Sequence, residues 1–279
     1  MEVVESEKMN VAAVIGWPIA QSLSPAIHNA AFRHHGDNWI YMAFPVEPGD
    51  ARIAVDAMRT GGLQGMNVTM PHKDAVADLV DELDESAAEI RAVNTVVCRD
   101  KNHLVGYSTD GEGLIRALRK NAGVDVAGQS VGVIGAGGAA RSAIVALTKA
   151  RAQVIKVVNR SIDKAEAAVS LSKVAEVGTM ADLRDCDVVM NMTSVGMGTD
   201  ELPMDPSLLR PEHLVVDAVY HPLETRLLKE ATRVGARTLD GLWMLIHQAC
   251  AAQHLWLGRE PEHQVMREAA VRELKARGK

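Results

Sequence analysis

The segment QSVGVIGAGGAARSA, residues 129–143, restricts what this chain can fold into more than any other. A short apolar run ends at a glycine and passes without a linker into an alanine-rich, helix-forming stretch. Within it Gly135, Ala136, Gly137, Gly138, Ala139 and Ala140 fit G-x-G-x-x-G/A, with alanine in the last place. Glycines let the backbone approach a pyrophosphate, and the start of the following helix offers unused N–H groups and a positive dipole end. Set between a strand and a helix, the pattern predicts a dinucleotide-binding βα unit; a tight turn without a ligand is the plainer alternative.

The next strand, QVIKVVNR, refines the choice of dinucleotide. An NAD-binding unit usually carries an acidic residue about 20 residues on, where it binds the ribose 2′-hydroxyl. This chain has Asn159, Arg160 and Ser161 there, with Lys164 one helical turn later. A carboxylate would repel a 2′-phosphate, whereas a guanidinium can pair with one through two hydrogen bonds. The expectation is NADP rather than NAD, against the plainer alternative of an exposed arginine at a helix start.

Strand-like and helical stretches alternate along the whole chain, which predicts a parallel α/β architecture. VAAVIG (Val11–Gly16) reads as a buried strand. In SPAIHNAAFRHHG, Ser24 and Pro25 suit a helix start and Gly36 a helix stop. WIYMAFPV, LQGMNVTM and AVNTVVC read as further strands, and PGDARIAVDAMRTGG as a helix. Lys73 falls in a loop just past one strand, and His72 beside it reads as a surface residue. Asp110 precedes a helix in GYSTDGEGLIRALRK. A second series starts at Gln129 and runs through IDKAEAAVSL, CDVVMNMT and HLVVDAVY, so 279 residues divide more naturally into two domains than one. The last two helical stretches, residues 240–258 and 261–277, have rich apolar faces and are expected to pack back on the first domain.

Composition removes several classes of function. The formal charge is −6 and only 3% of residues are aromatic, so neither a basic patch nor stacking platforms point to nucleic acid. No apolar run approaches the ~20 residues of a membrane span. The start, MEVVESEKMN, lacks a signal-peptide pattern and reads as a loose acidic leader. Cys98, Cys186 and Cys250 are far apart and odd in number, which argues for core thiols in a reducing, cytoplasmic setting. His34 and His35 point to different helix faces, and His247 and His254 lack an acidic companion, so no metal is expected. A small molecule is the expected partner, and monomer and homodimer both stay open.

Three polar clusters sit at strand ends of the first domain: Ser22 and Ser24; Asn67, Thr69 and Lys73; and Asn94 with Asp110. Ligands of open α/β sheets lie beyond the carboxyl ends of strands. Two hydroxyls near a helix start can bind a carboxylate, and amides with a lysine can hold hydroxyl or carbonyl oxygens. Each cluster also has a plainer account in capping or turn formation.

Taken in order, GWPIAQSLSPAIHNAAF, NVTMPHK, AVNTV, STDGEG, GAGGAARSA, NRS, NMTSVGM, DAVYHPLETRLL and DGLWMLIHQA resemble the shikimate dehydrogenase family over nearly the whole chain. The resemblance implies an N-terminal α/β substrate-binding domain, residues 1–110 with 246–279, and a Rossmann NADP-binding domain, residues 111–245, with a cleft between them. It implies Lys73 and Asp110 as the catalytic pair in reversible reduction of 3-dehydroshikimate to shikimate. Ser22 and Ser24 would bind the substrate carboxylate, with Tyr220 on the same side. Asn67, Thr69, Asn94 and Gln248 would hold the ring hydroxyls. Gly135 to Ala139 would take the pyrophosphate, and Asn159, Arg160, Ser161 and Lys164 the adenosine phosphate. Thr193, Ser194, Ala218 and Gly241 would line the rest of the dinucleotide. Trp17 and Met70 depart from the family's usual residues and put exact substrate choice in question. The rivals are a quinate or aminoshikimate dehydrogenase, a non-catalytic NADPH sensor, and a two-domain NADP dehydrogenase acting on folate rings.

Overall fold

The structure, a computed structural model, describes residues 9–278; most of the acidic leader lies outside the described residues. The chain divides into two compact units, one running through Thr109 and taking up Ala249–Arg277, the other formed by Asp110–Gln248.

The first unit contains β1 (Asn10–Gly16), α1 (Ser24–His35), β2 (Trp39–Pro45), α2 (Ala51–Arg59), β3 (Gly65–Val68), α3 (Lys73–Ala77), β4 (Glu82–Leu83), α4 (Glu85–Ala88), β5 (Thr95–Cys98) and β6 (Leu104–Tyr107). Its six-stranded sheet has the order β2-β1-β3-β5-β6-β4. The alternating pattern predicted a parallel sheet, but β5 runs antiparallel to both β3 and β6. For the β5–β6 pair the cause is chain length. Only a single 3-10 turn at Asp100–Asn102 separates β5 from β6, and a parallel return needs a dozen residues or more.

Side chains of β1 alternate between the two faces of this sheet. Ala13 and Ile15 join a cluster with Val55 and Met58 of α2 and Val76 of α3. Ala12 and Val14 join one with Phe32 of α1 and Tyr41 of β2. The Trp256 indole closes that second face, donating from Nε1 to the Val96 carbonyl at 3.2 Å. Gly65 makes room for it, since a Cβ there would fall 2.6 Å from the ring.

The second unit contains α5 (Asp110–Lys120), β7 (Ser130–Ile134), α6 (Gly138–Lys149), β8 (Val154–Val158), α7 (Ile162–Val169), β9 (Ala175–Val177), β10 (Val188–Asn191), β11 (Leu214–Asp217), α8 (Arg226–Arg233) and β12 (Arg237–Leu239). Its sheet, order β12-β11-β10-β7-β8-β9, is parallel throughout. Counted from β7 this is the 3-2-1-4-5-6 order of a Rossmann sheet, whose direction of winding switches between β7 and β10. Val131, Val133, Val188 and Met190 pack with Leu114 of α5 and Ile144 of α6, while Val189 and Val215 pack with Leu228 of α8.

Helix α9 (Gly241–Leu257) starts in the second unit and ends in the first, and α10 (His263–Ala276) follows it. Past the end of α10, Arg277 donates to the carbonyls of Gln21 at 2.9 Å and Ser22 at 3.3 Å, which ties this end of the chain to the segment before α1. Among the described residues no helix is long and apolar enough to cross a membrane, and no cluster of three or more His, Cys, Asp or Glu could hold a metal ion. Cys186 and Cys250 are buried and Cys98 is half-buried.

Candidate functional site

Two polar candidates of the first unit, Asn67 and Asn94, share one hydrogen-bonded assembly. Asn67, near the end of β3, donates from Nδ2 to the Asn94 carbonyl at 3.1 Å and to Thr95 Oγ1 at 2.9 Å. Asn94 Oδ1 accepts from the Thr109 N–H at 2.9 Å, and Asn94 Nδ2 donates to Thr109 Oγ1 at 3.0 Å. Both asparagines are buried, at 6% and 3% exposure, and buried amides are costly unless hydrogen-bonded. The Ser22 hydroxyl accepts from the Ser24 N–H at 3.2 Å, which fixes the two serines relative to each other.

Main-chain hydrogen bonds bring the other loops to the same end of the sheet. The Thr69 N–H donates to the Ile15 carbonyl, the Trp17 N–H to the Met70 carbonyl, and the Val93 N–H to the Lys73 carbonyl, at 2.9–3.0 Å. Gly16 permits the first of these approaches, because any Cβ there would run into the Thr69 side chain. Lys73 does not lie in a loop as expected: it is the first residue of the short helix α3 and half-buried. His72 is also not a surface residue. It is 2% exposed, and its Nε2 lies 2.7 Å from the Val46 carbonyl, so the ring staples the Asn67–Lys73 segment to the end of β2. Trp17 and Met70 are both exposed, at 44% and 66%.

In the second unit Gly135 holds φ at +116°, a region that favours glycine. A Cβ on it would fall 2.9 Å from the Thr193 methyl, so the turn leaving β7 lies against the turn leaving β10. Gly137 caps α6 with nothing within 4 Å of where a Cβ would project. A pyrophosphate fits here, because the backbone is open and the first N–H groups of α6 are not used by the helix. Asn159 donates to the Ser161 carbonyl at 2.9 Å and shapes the turn into α7, from which Arg160 and Lys164 extend into solvent. Ser194 is exposed, and Ala218 and Tyr220 are half-buried in the segment after β11. A Cβ on Gly241 would collide with the Asp217 and Ala218 carbonyls, so the first turn of α9 rests on that segment.

Asp110 opens α5, and the glycines after it are packing residues. A Cβ on Gly111 would press on the Ser142 carbonyl of α6 at 2.9 Å, and one on Gly113 would fall 2.8 Å from the Gln248 nitrogen of α9. Gln248 donates from Nε2 to the Leu245 carbonyl at 2.8 Å.

Comparison with known proteins decides the family. A shikimate dehydrogenase (NADP(+)) of Geobacter metallireducens is 41% identical over 281 residues, covering 96% of this chain and 98% of that protein. The chain belongs to the shikimate dehydrogenase family. Residues 14–96 match the family model described as shikimate dehydrogenase substrate binding domain, 116–197 the one for shikimate / quinate 5-dehydrogenase, and 241–271 the shikimate 5′-dehydrogenase C-terminal domain. A shikimate dehydrogenase solved in complex with NADP+ superposes with a TM-score of 0.91 at 38% identity, over 96% of this chain and 97% of that one. The shikimate 5-dehydrogenase of Thermus thermophilus, solved with NADP(H) and shikimate, gives 0.89 at 34% identity, over 95% and 99%.

Within this member of the shikimate dehydrogenase family, sequence reasoning missed the residues that hold the candidates in place. Thr95 and Thr109 complete the asparagine network. In the second unit the fully buried Asn191 accepts from the Thr193 hydroxyl at 2.6 Å and donates to Asp217 at 2.9 Å. Asp217 also accepts from the Thr225 hydroxyl at 2.7 Å and the Val219 N–H at 3.0 Å. Burial pushes its carboxyl above the usual range, and these donors pull it back. This network joins the turns after β10 and β11. Its signal in the sequence was available: a single polar residue closing an apolar strand, as in VVMN and LVVD.

Proposed function

We propose that this chain catalyses the reversible, NADP-linked reduction of 3-dehydroshikimate to shikimate. What carries the reading is the likeness, sustained over 96% of the chain, to an enzyme named for shikimate and NADP(+). Asn159 and Arg160, standing where an NAD-binding unit has a carboxylate, support the phosphorylated cofactor.

Bound NADPH supplies the hydride. Reduction builds negative charge on the substrate's carbonyl oxygen, and a positioned donor must meet it. Lys73 takes that role, giving its proton to the oxygen in one direction and accepting it in the other. Asp110 hydrogen-bonds the same hydroxyl and orients the lysine. Ser22 and Ser24 donate to the ring carboxylate, with Tyr220 reaching that side. Asn67, Thr69, Asn94 and Gln248 take the ring hydroxyls. The backbone from Gly135 to Ala139 receives the pyrophosphate; Asn159, Arg160, Ser161 and Lys164 surround the adenosine phosphate; Thr193, Ser194, Ala218 and Gly241 line the remainder.

Quinate is the second reading, because the matched family description includes it. The test is a steady-state assay of shikimate, quinate and aminoshikimate, each with NADP+ and NAD+. The expected outcome is a kcat/KM at least tenfold higher for shikimate with NADP+ than for any other pairing. Preference for quinate or aminoshikimate would replace the substrate, and equal use of NAD+ would remove the role of Arg160.

A further inference from the structure

Tyr41, in β2, joins the first unit's polar assembly through its hydroxyl. It is 2% exposed. Tyr41 is paired with Ala12 of β1, and Asn67 of β3 with Val14, so both side chains rise from the same face of the sheet. The tyrosine crosses over β1 and brings its hydroxyl to Asn67 Oδ1 at 2.6 Å. The Ser24 side chain lies beside the same hydroxyl. An amide oxygen has no proton to give, so Tyr41 donates to Asn67. A carboxylate that draws the Ser24 proton to itself leaves the Tyr41–Asn67 bond in place.

The ring has little freedom to leave this position. His28, one turn after Ser24 in α1, stacks on it with centroids 4.1 Å apart and planes 4° from parallel. His28 is held in turn by Gln253, whose Nε2 lies 2.9 Å from Nδ1. Asn29 clamps the Tyr41 backbone from the sheet edge, accepting from its N–H and donating to its carbonyl, both at 2.8 Å. Three side chains of α1, those of Ser24, His28 and Asn29, therefore converge on one residue.

We infer that Tyr41 is a positioning residue for the substrate ring, acting through Asn67 by pinning its amide so that one free lone pair of Oδ1 faces a ring hydroxyl. Both N–H bonds of the Asn67 amide are already used, by Asn94 and Thr95. The group left for a ligand is an acceptor, and the hydroxyl that meets it must donate. Without the phenol the amide keeps its nitrogen partners but loses its anchor on the oxygen side, and a site loosened by a fraction of an ångström binds less well.

The inference rests on the proposed shikimate activity, and Tyr41→Phe tests it with the ring stack retained. The KM for shikimate is expected to rise threefold to tenfold, with kcat within twofold and the KM for NADP+ unchanged. In an Asn67→Ala background the same substitution is expected to have no further effect on kcat/KM, since the two residues act as one unit. A purely structural role for Tyr41 would lower the apparent kcat through lost folded enzyme and leave both KM values unchanged, and would overturn the inference. A shikimate KM that rises less than threefold, or an effect of equal size in both backgrounds, would also overturn it. Absence of shikimate turnover by the unmodified chain would remove the functional reading and this one together, whereas an active parent with an unresponsive variant removes only Tyr41.

Discussion

The two sheets present polar groups in opposite ways. At the strand ends of the second unit the proposed recognition elements are main-chain N–H groups around Gly135–Gly138 and two exposed cations, Arg160 and Lys164. At those of the first unit they are buried side chains, cross-linked from Tyr41 through Asn67 and Asn94 to Thr109. The difference suits the two ligands proposed. A dinucleotide is long, flexible and strongly charged, so open backbone and solvated cations are enough to hold its phosphates. A small ring carrying several hydroxyls differs from its analogues only in where those hydroxyls point, and only fixed donors and acceptors tell them apart.

The largest expected effect tests the division at its chemical end. Lys73→Ala should lower kcat on the order of 1,000-fold, the usual cost of losing a donor to a developing oxyanion or a general acid. NADPH affinity, measured by fluorescence titration, should stay within twofold, because the lysine belongs to the first unit. A variant that keeps a tenth of the parent's turnover would take Lys73 out of the chemistry.

The same contrast explains how much could be read before the structure. The second unit was legible at β7, β8, β10 and β11, which are apolar runs, but not at the three-residue strands β9 and β12, whose pairing alone defines them. The polar motifs of the first unit were legible too, since NVTMPHK and QSLSP stand out from apolar surroundings. What stayed hidden depends on tertiary pairing. Gly106 and Tyr107 fall in the stretch read as leading into a helix, yet with Leu104 and Val105 they pair with β5 as a hairpin arm. His72 looked like a solvated neighbour of Lys73 until the fold brought the Val46 carbonyl to it. Tyr41 reads as one more apolar strand position, because nothing local reveals that its hydroxyl reaches across a strand.

Arg160→Ala tests the exposed side of the comparison. Charge-assisted hydrogen bonds contribute about 1.5–3 kcal/mol each, so the KM for NADP+ should rise on the order of 10- to 100-fold. The KM for the cyclic acid should move less than threefold. Equal changes in both would mean that the guanidinium does not read the cofactor.

Two glycine substitutions sharpen the comparison in terms of packing. Gly65→Ala drives a methyl into the Trp256 indole and should destabilise the fold by about 1–3 kcal/mol in urea titration. Gly137→Ala projects into open space and should leave stability unchanged, while weakening NADP+ binding by crowding the pyrophosphate. A Gly137 variant that unfolded as readily as the Gly65 variant would show that both glycines serve packing alone.

The smallest effect concerns protonation behind the locked network. Burial pushes the His28 imidazole down to about 3, from its ordinary value of 6.5. The folded chain therefore keeps His28 neutral, while the unfolded chain takes up a proton once the pH drops below about 6.5. The stability tied to this group is complete above that pH and drains away as the pH falls towards 3, by at most about 1.4 kcal/mol per pH unit. His213, in the second unit, is shifted down by burial as well and contributes in the same direction, so the parent's slope alone cannot assign the effect. His28→Phe keeps an aromatic ring against Tyr41 and removes only the share of His28. Unfolding free energies measured at pH 7 and pH 5 should show the parent's advantage over this variant shrinking by roughly 1–2 kcal/mol at the lower pH. An advantage that stayed constant would mean that water reaches the imidazole and that the wall behind Tyr41 is less dry than its zero exposure implies.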